Sequence, residues 1–395
     1  MTDIGHHERP GFLERLIDGF HDWRLNKIAS PEFQRWAAGS WFTRAFAKKD
    51  SERVYDLVAG FVYSQTLLAC TELGVLQTLK RGPASARMLA MRHGLPEDRM
   101  QTLCQSAAAI GLMVRRRDGT YRLGRLGAAV LGVPGLEQMI RHHKVFYRDL
   151  ADPVALLNGE TDPELSHFWP YVRGVDRAAN AETAAEYSSL MATSQLLVAE
   201  ETLDALPMHT LTALTDVGGG TGVFLEQVGL KHPNLPLHLF DLPAVIDAAR
   251  NRLGDESRIR MSAGSFLDDP LPVDGNAVSL IRVLYDHDDS TVHRVLARVF
   301  DALPPGGQVI VSEPMSGGGA PSRSGDAYFG FYTMAMTTGR PRSAQTHMAL
   351  LQEAGFREMR QHPNRRPFLT SVISARKPET ARKADTPRKA DTVDG

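Results

Sequence analysis

Apolar positions in the first hundred residues recur at helical spacing. Between residues 11 and 50, Phe12, Leu16, Phe20, Trp23, Leu25 and Ile28 are interleaved with Arg15, Arg24, Lys27, Arg35, Arg44, Lys48 and Lys49. That period predicts an aromatic, basic helical extension over residues 1–53. Further helices are predicted over 54–80, 84–92 and 97–111, with Pro96 suited to the first turn of the last. The period then shortens, and 112–123 reads as two strands about Asp118-Gly119. Helices closed by such a hairpin make 54–135 winged-helix-like. Long helices are read over 136–205, and His142, His143, Phe146, Tyr147 and the run 168–171 are expected to wall a substrate pocket.

From residue 212 the pattern alternates between short apolar runs and helical stretches. Strands are predicted near 212–217, 235–240, 258–262, 277–284, 307–312 and 368–375, with helices near 223–231, 243–253, 290–303 and 345–354. This alternation over 206–376 predicts an α/β unit, a mostly parallel sheet with helices on both faces. The run Ser316-Gly317-Gly318-Gly319-Ala320-Pro321 is expected to be a mobile loop at the sheet edge. Residues 377–395 contain a repeated Lys-Ala-Asp-Thr and few apolar positions, and disorder is expected there.

Composition narrows the picture. A chain of 395 residues with 43% hydrophobic content can bury a large core and support two domains. A net charge of −1 offers no global field for nucleic acid. Arg115 to Arg117 in the hairpin would suit DNA, but Met100, Leu103 and Ala107 to Ile110 make the preceding helix too apolar for a groove, so no nucleic-acid partner is expected. Cys70 and Cys104 lie in apolar patterns without metal-ligand spacing. They read as reduced, buried thiols, and no metal site is expected. Residues 1–10 are polar and charges interrupt every long apolar stretch, so no leader or membrane span is read and a cytoplasmic location is expected. The aromatic, basic extension suits a subunit interface, and it also suits peripheral contact with the inner membrane.

The chemistry gathers at 212–224. An apolar run ends at Asp216 and Val217, glycines follow at 218, 219, 220 and 222, and a helical pattern begins at Val223. This is a strand, a tight turn and a helix, with glycines where a Cβ would block a ligand. No Gly-Lys-Ser/Thr follows, which excludes a P-loop. Asp216 inside the turn suits a ligand carrying a cation. The next apolar run ends at Asp241, about 20 residues beyond the glycine turn, where an acid can accept from ribose hydroxyls. An adenosine-containing cofactor is therefore expected.

At these residues the chain resembles the class I S-adenosylmethionine-dependent small-molecule O-methyltransferases. The matching stretches are 216–222 (DVGGGTG), 240–245 (FDLPAV), 280–289 (LIRVLYDHDD), 304–314 (PPGGQVIVSEP) and 350–356 (LLQEAGF). Residues 29–38 and 56–70 are similar to a bacterial branch acting on hydroxylated carotenoids of the demethylspheroidene and hydroxyneurosporene type. The resemblance implies a C-terminal Rossmann-like methyltransferase domain and an N-terminal helical dimerisation domain, acting as a homodimer on a small hydrophobic hydroxyl acceptor with S-adenosyl-L-methionine. It implies cofactor contacts from Asp216, Gly218, Gly219, Gly220, Asp241, Leu242, Ser265, Phe266, Arg282, Met191 and Gln195. The family's catalytic histidine falls at Tyr285, followed by Asp286, with His287 in a tryptophan position and Glu313 as the first flanking glutamate. The second flanking glutamate falls near Pro341 and is lost. Tyr285 has an ordinary pKa near 10, whereas His287 titrates near 6.5 and, in an extended loop, would point the same way. Asp288 or Asp289 suits the cap of the following helix. A phenolic or polyketide acceptor is the alternative within this class, and a winged-helix ligand-binding regulator is the alternative outside it.

Overall fold

The computed structural model describes residues 12–168, 194–254 and 257–379, so Met191, the 169–171 part of the pocket run and the 380–395 stretch lie outside the described residues. The chain divides into two compact units, Met1–Gly127 and Ala128–Gly395.

The first unit holds α1 (Phe12–Ile28), α2 (Pro31–Gly39), α3 (Arg44–Glu72), α4 (Val75–Arg81), α5 (Ala86–His93) and α6 (Glu97–Ala109). The helix expected over 54–80 is broken at Leu73-Gly74, where Gly74 adopts a left-handed φ of 67° that ends one helix and starts the next. Its first part instead extends back to Arg44. The hairpin forms as expected from β1 (Met113–Arg115) and β2 (Tyr121–Leu123), antiparallel. Tyr121 plugs the unit's core, fully buried, and its hydroxyl accepts from Gln101 Nε2 at 2.9 Å. Cys70 and Cys104 are buried free thiols in the same core, and burial pushes them up to about 12 and about 11.

The second unit follows α7 (Arg125–Gly132). It contains α8 (Leu136–Asp149), α9 (Pro153–Leu157) and α10 (residues 194–205), then β3 (Leu214–Val217), α11 (Val223–Lys231), β4 (Leu237–Asp241), α12 (Pro243–Leu253) and β5 (Ile259–Ala263). The chain continues through β6 (Ala277–Ile281), α13 (Asp289–Ala302), β7 (Gln308–Glu313), α14 (Phe329–Met336), α15 (Ala344–Glu353), β8 (Arg357–His362) and β9 (Ser371–Arg376). The sheet order is β5-β4-β3-β6-β7-β9-β8, parallel from β5 to β7 and antiparallel at β9 and β8. Alternation along the strands sorts the core into two layers. Val278, Leu280, Val309 and Val311 face α13 and α15, while Ala277, Ile281 and Ile310 face α10, α11 and α12. Both faces are covered, so β3 and β6 are buried at every position.

The stretch 316–321, expected to be mobile, is tied down. Gly317 N and Ser322 N both donate to Asp326 Oδ2, at 2.7 and 2.6 Å. Among the described residues no single helix is long and apolar enough to cross a membrane. One bent pair, α3 with α4, meets the length and composition for a span.

Candidate active site

Strand order reverses between β3 and β6, and their carboxyl ends form the crevice in which such sheets bind ligands. Beyond β3 the backbone turns through Gly218 at φ 70° and Gly220 at φ 60°. A Cβ on Gly219 would stand 2.5 Å from Leu239 Cδ1 and closer still to Asp216 Oδ2, whereas one on Gly220 would meet nothing within 4 Å. The turn therefore has a packed underside at Gly219 and an open side at Gly220.

Asp216 belongs to the underside and does not face an open surface. It is fully buried, Oδ1 accepts from Ser279 Oγ at 2.6 Å, and Oδ2 is buried without a hydrogen-bond partner. Burial pushes its carboxyl up to about 7. Asp241 ends β4 and accepts from Gly220 N at 2.8 Å and Leu242 N at 2.7 Å. Each of its oxygens keeps a second lone pair, enough for two ribose hydroxyls. Burial raises this carboxyl to about 6.

Ser265 lies in the turn after β5. Its N–H donates to Asp269 Oδ2 at 2.7 Å and its hydroxyl to Asp268 Oδ2 at 3.0 Å. Two acids thus stand three and four residues beyond Ser265 and hold its turn. Phe266 meets His287 edge to face, with centroids 5.5 Å apart, and its Cε1 lies 3.6 Å from where a Cβ on Gly218 would be. His287 therefore belongs to the wall that Phe266, Val283 and Gly218 form. Burial lowers its imidazole to about 4, so it is neutral at physiological pH.

The expectation that Tyr285 and His287 share a direction fails for a local reason. Leu284–Asp286 forms a 3₁₀ turn, so the two-residue alternation of an extended chain does not apply. Tyr285 instead packs against Phe329, 6.0 Å between centroids, and accepts at its hydroxyl from Arg282 Nη2 at 3.2 Å. It is 1% exposed, and burial raises its phenol far above the ordinary value. That direction works against it as a base near neutrality.

Arg282 adopts φ 56°, a conformation uncommon for a residue with a side chain, and its N–H donates to Ser312 O at 2.8 Å. Its Nη1 reaches Ser194 Oγ at 3.4 Å, and its Nε is buried without a partner. Gln195, next to Ser194 on α10, also keeps a buried, unpartnered Oε1. Glu313 is fully buried; Oε1 accepts from Val283 N at 2.9 Å and Leu284 N at 2.7 Å, and Oε2 has no partner. It shapes the loop backbone, with burial raising it to about 7. Asp286 is buried beside it, and burial together with the Glu313 charge holds its carboxyl well above the ordinary carboxylate range.

Arg342 was not foreseen. Its guanidinium is buried and donates to Leu284 O at 2.8 Å, His287 O at 2.8 Å and Asp289 Oδ1 at 2.6 Å, clamping the 284–289 loop. Asp288 caps α13, accepting from Thr291 N at 2.8 Å. A cleft of about 470 Å³ lies beside this loop, lined by Asp286, His287, Thr291, Thr333, Met334 and Gly339.

A second set of side chains surrounds Tyr285. His142 and His143 on α8 pair with Tyr332 and Tyr328 hydroxyls at 2.9 and 2.7 Å. Phe146 meets both tyrosines edge to face, and the tyrosine rings stack at 5.8 Å. The α8 members were expected. Tyr328, Phe329 and Tyr332 were missed, although aromatics at 328, 329, 331 and 332 repeat at the spacing of one helix face. Among the described residues no cluster of three or more His, Cys, Asp or Glu is placed to hold a metal.

Comparison with known proteins agrees with this arrangement. Residues 147–357 match the model of the O-methyltransferase domain, and residues 55–132 match that of the O-methyltransferase dimerisation domain. The chain is 50% identical over 355 residues to a demethylspheroidene O-methyltransferase of Cereibacter sphaeroides, covering 89% of this chain and 94% of that one. It is 48% identical over 330 residues to the enzyme of the same name from Rhodobacter capsulatus, covering 84% and 83%. Among solved structures, human N-acetylserotonin methyltransferase in complex with SAM superposes with a TM-score of 0.69 at 23% identity, over 83% of this chain and 98% of that one. CalO1, a methyltransferase in calicheamicin biosynthesis, in its SAH-bound form superposes with a TM-score of 0.69 at 26% identity, over 84% and 98%. With its glycine turn, its Rossmann-like sheet and its helical dimerisation domain, the chain belongs to the S-adenosylmethionine-dependent O-methyltransferases.

Proposed function

We propose that this enzyme methylates the hydroxyl of a hydroxylated carotenoid of the demethylspheroidene type. The observation that carries the acceptor class is the 50% identity, over 89% of the chain, to a protein named for that activity. The aromatic set around Tyr285 agrees with a long apolar acceptor, whereas the relative named for a naphthoate acceptor is only 30% identical. That comparison favours neither a phenolic acceptor nor a ligand-binding regulator.

The residues fit the cofactor. Gly220 would offer the open side of the turn, with Gly218 and Gly219 shaping it; Asp241 and Leu242 would hold the ribose end, Ser265 and Phe266 the adenine end, and Arg282 and Gln195 the methionyl end. S-adenosylmethionine, when bound, supplies an electrophilic methyl group on its sulfonium. The chain's contribution is alignment in a dry pocket, which lowers the barrier by fixing the acceptor oxygen at near-attack distance. His287, against Phe266, serves the cofactor wall more than the acceptor. Purified protein given radiolabelled cofactor is expected to transfer label to hydroxycarotenoids. Transfer to naphthols or other phenols alone would overturn the acceptor assignment.

The dimerisation domain makes a homodimer the working assembly. Outside its matched span, α1, α2, the turn after it and the start of α3 expose Phe20, Trp23, Trp36, Trp41, Phe42 and Phe46. We infer that this segment rests on an anionic bilayer, where a carotenoid acceptor resides. Co-sedimentation with phosphatidylglycerol vesicles is expected at low salt. Equal recovery in the supernatant with and without vesicles would refute it.

A further inference from the structure

The pocket holds two histidine–tyrosine pairs, and they differ in access. Tyr332 is 5% exposed and enclosed by Phe146, Tyr328 and Phe329. Tyr328 is half-buried where Tyr332 is buried, so of the two phenols it is the less enclosed. Tyr328 touches Phe329 at 4.9 Å between centroids, and Phe329 touches Tyr285. The pair therefore stands next to the loop that follows β6, at the carboxyl edge of the sheet.

The other polar groups near this loop are engaged in part, with Glu313 Oε2, Asp286 Oδ1 and Arg282 Nε buried without a partner. The Tyr285 hydroxyl is held by Arg282, and Glu313 Oε1 accepts from two loop amides. His287 is turned against Phe266. By contrast, the 2.7 Å contact between His143 Nε2 and the Tyr328 hydroxyl is a complete two-member unit. When the neutral imidazole accepts the phenolic hydrogen, both lone pairs of the phenolic oxygen are left for an incoming O–H.

We propose that Tyr328 receives the hydrogen bond of the acceptor hydroxyl, and that His143 is the positioning residue that fixes the phenol's rotor. This assignment rests on the acceptor pocket lying at the carboxyl edge of β6. The atoms balance simply. The acceptor oxygen gains the methyl carbon as the carbon–sulfur bond breaks, and that bond's electron pair stays on sulfur. The hydroxyl proton passes to the Tyr328 oxygen while Tyr328's own proton passes to His143 Nε2. An aliphatic alcohol is too weak an acid to ionise first. Once its oxygen carries a new bond to carbon, its proton becomes strongly acidic, so a weakly basic imidazole suffices.

The test compares Tyr328→Phe, His143→Ala and His143→Gln in single-turnover transfer, scored on whichever of two probes the wild type methylates, a hydroxycarotenoid or a naphthol. Cofactor affinity is measured separately by calorimetry. Tyr328→Phe and His143→Ala are each expected to slow transfer about 10²-fold, the usual share of such proton-handling groups, with cofactor affinity unchanged within about twofold. His143→Gln, which keeps a hydrogen-bond acceptor but cannot take up the proton, is expected to restore the acceptor KM without restoring the rate. The double variant should lose little more than either single one, since the two act as a unit. A wild-type rate in Tyr328→Phe, or a cofactor affinity that falls in step with the rate, overturns the proposal. Activity on the naphthol but not the hydroxycarotenoid would sink the carotenoid assignment and leave the pair still decided by its variants. Activity on neither probe would overturn both.

Discussion

Gly219 and Gly220 are neighbours with opposite tolerances. A methyl group on Gly219 would run into Asp216 Oδ2 and Leu239, so Gly219→Ala is expected to displace the turn and abolish cofactor binding. At Gly220 the same methyl group meets no protein atom, so Gly220→Ala is expected to leave the turn in place at a cost of about 1–2 kcal/mol for the left-handed backbone, while the methyl intrudes on the space assigned to the cofactor. Melting temperatures without cofactor should separate the two variants, with Gly219→Ala falling further; equal melting temperatures would show that the turn is not built as described. His347 gives a pH signature. It is 1% exposed, neither ring nitrogen has a partner, and burial with the Arg342 charge lowers it to about 3. Its folded pKa lies below the unfolded value near 6.5, so below that pH the unfolded chain takes up a proton the folded one refuses. Stability is therefore lost as pH falls from about 6.5 towards 3, by at most about 1.4 kcal/mol per unit. Asp216 and Glu313, raised to about 7, act in the opposite sense, so the test is a difference. His347→Leu should flatten the fall in urea midpoint between pH 6.5 and 4.5 relative to wild type, and parallel curves would exclude the effect.

At the scale of elements, one side chain couples the loop after β6 to the segment before α15. Arg342 spends its guanidinium on Leu284 O, His287 O and Asp289, and Arg340 adds a second bond to Asp289 at 2.7 Å. A lysine cannot reproduce that fork. Arg342→Lys is expected to destabilise by about 3 kcal/mol and to lower turnover together with the melting temperature. A stable variant with full turnover would show that the loop does not depend on this clamp. The same region marks where sequence reading stopped. Buried parallel strands such as β6 announce themselves as apolar runs, and the glycine turn with Asp241 is legible from spacing alone. β8 is an edge strand, Arg357-Glu358-Met359-Arg360-Gln361-His362, mostly exposed and without apolar alternation, so nothing in its composition distinguishes it from a loop. Arg342, likewise, looks like any surface arginine until the carbonyls it serves are brought to it. The divergence of Tyr285 and His287 turned on a single 3₁₀ turn, which residue type does not encode.

For the whole molecule, the exposed apolar face of α3 is the largest anomaly. Leu57 is 84% and Phe61 70% exposed within the matched dimerisation span, a surface that a lone subunit would not carry. Leu57→Glu with Phe61→Glu is expected to convert the dimer to monomer in sedimentation at micromolar concentration. A dimer that survives both substitutions would place the interface elsewhere. The two cysteines offer a way to follow such events. Both thiols are enclosed in the helical unit and held far from the thiolate state, so a disulfide reagent added to the native protein finds no partner. Colour from such a reagent then reports the opening of that unit, and two equivalents per chain time its unfolding without any dye. The native chain is also a silent background for labelling: a single cysteine introduced at Trp41 would take a maleimide spin label alone and sense whether that turn meets lipid.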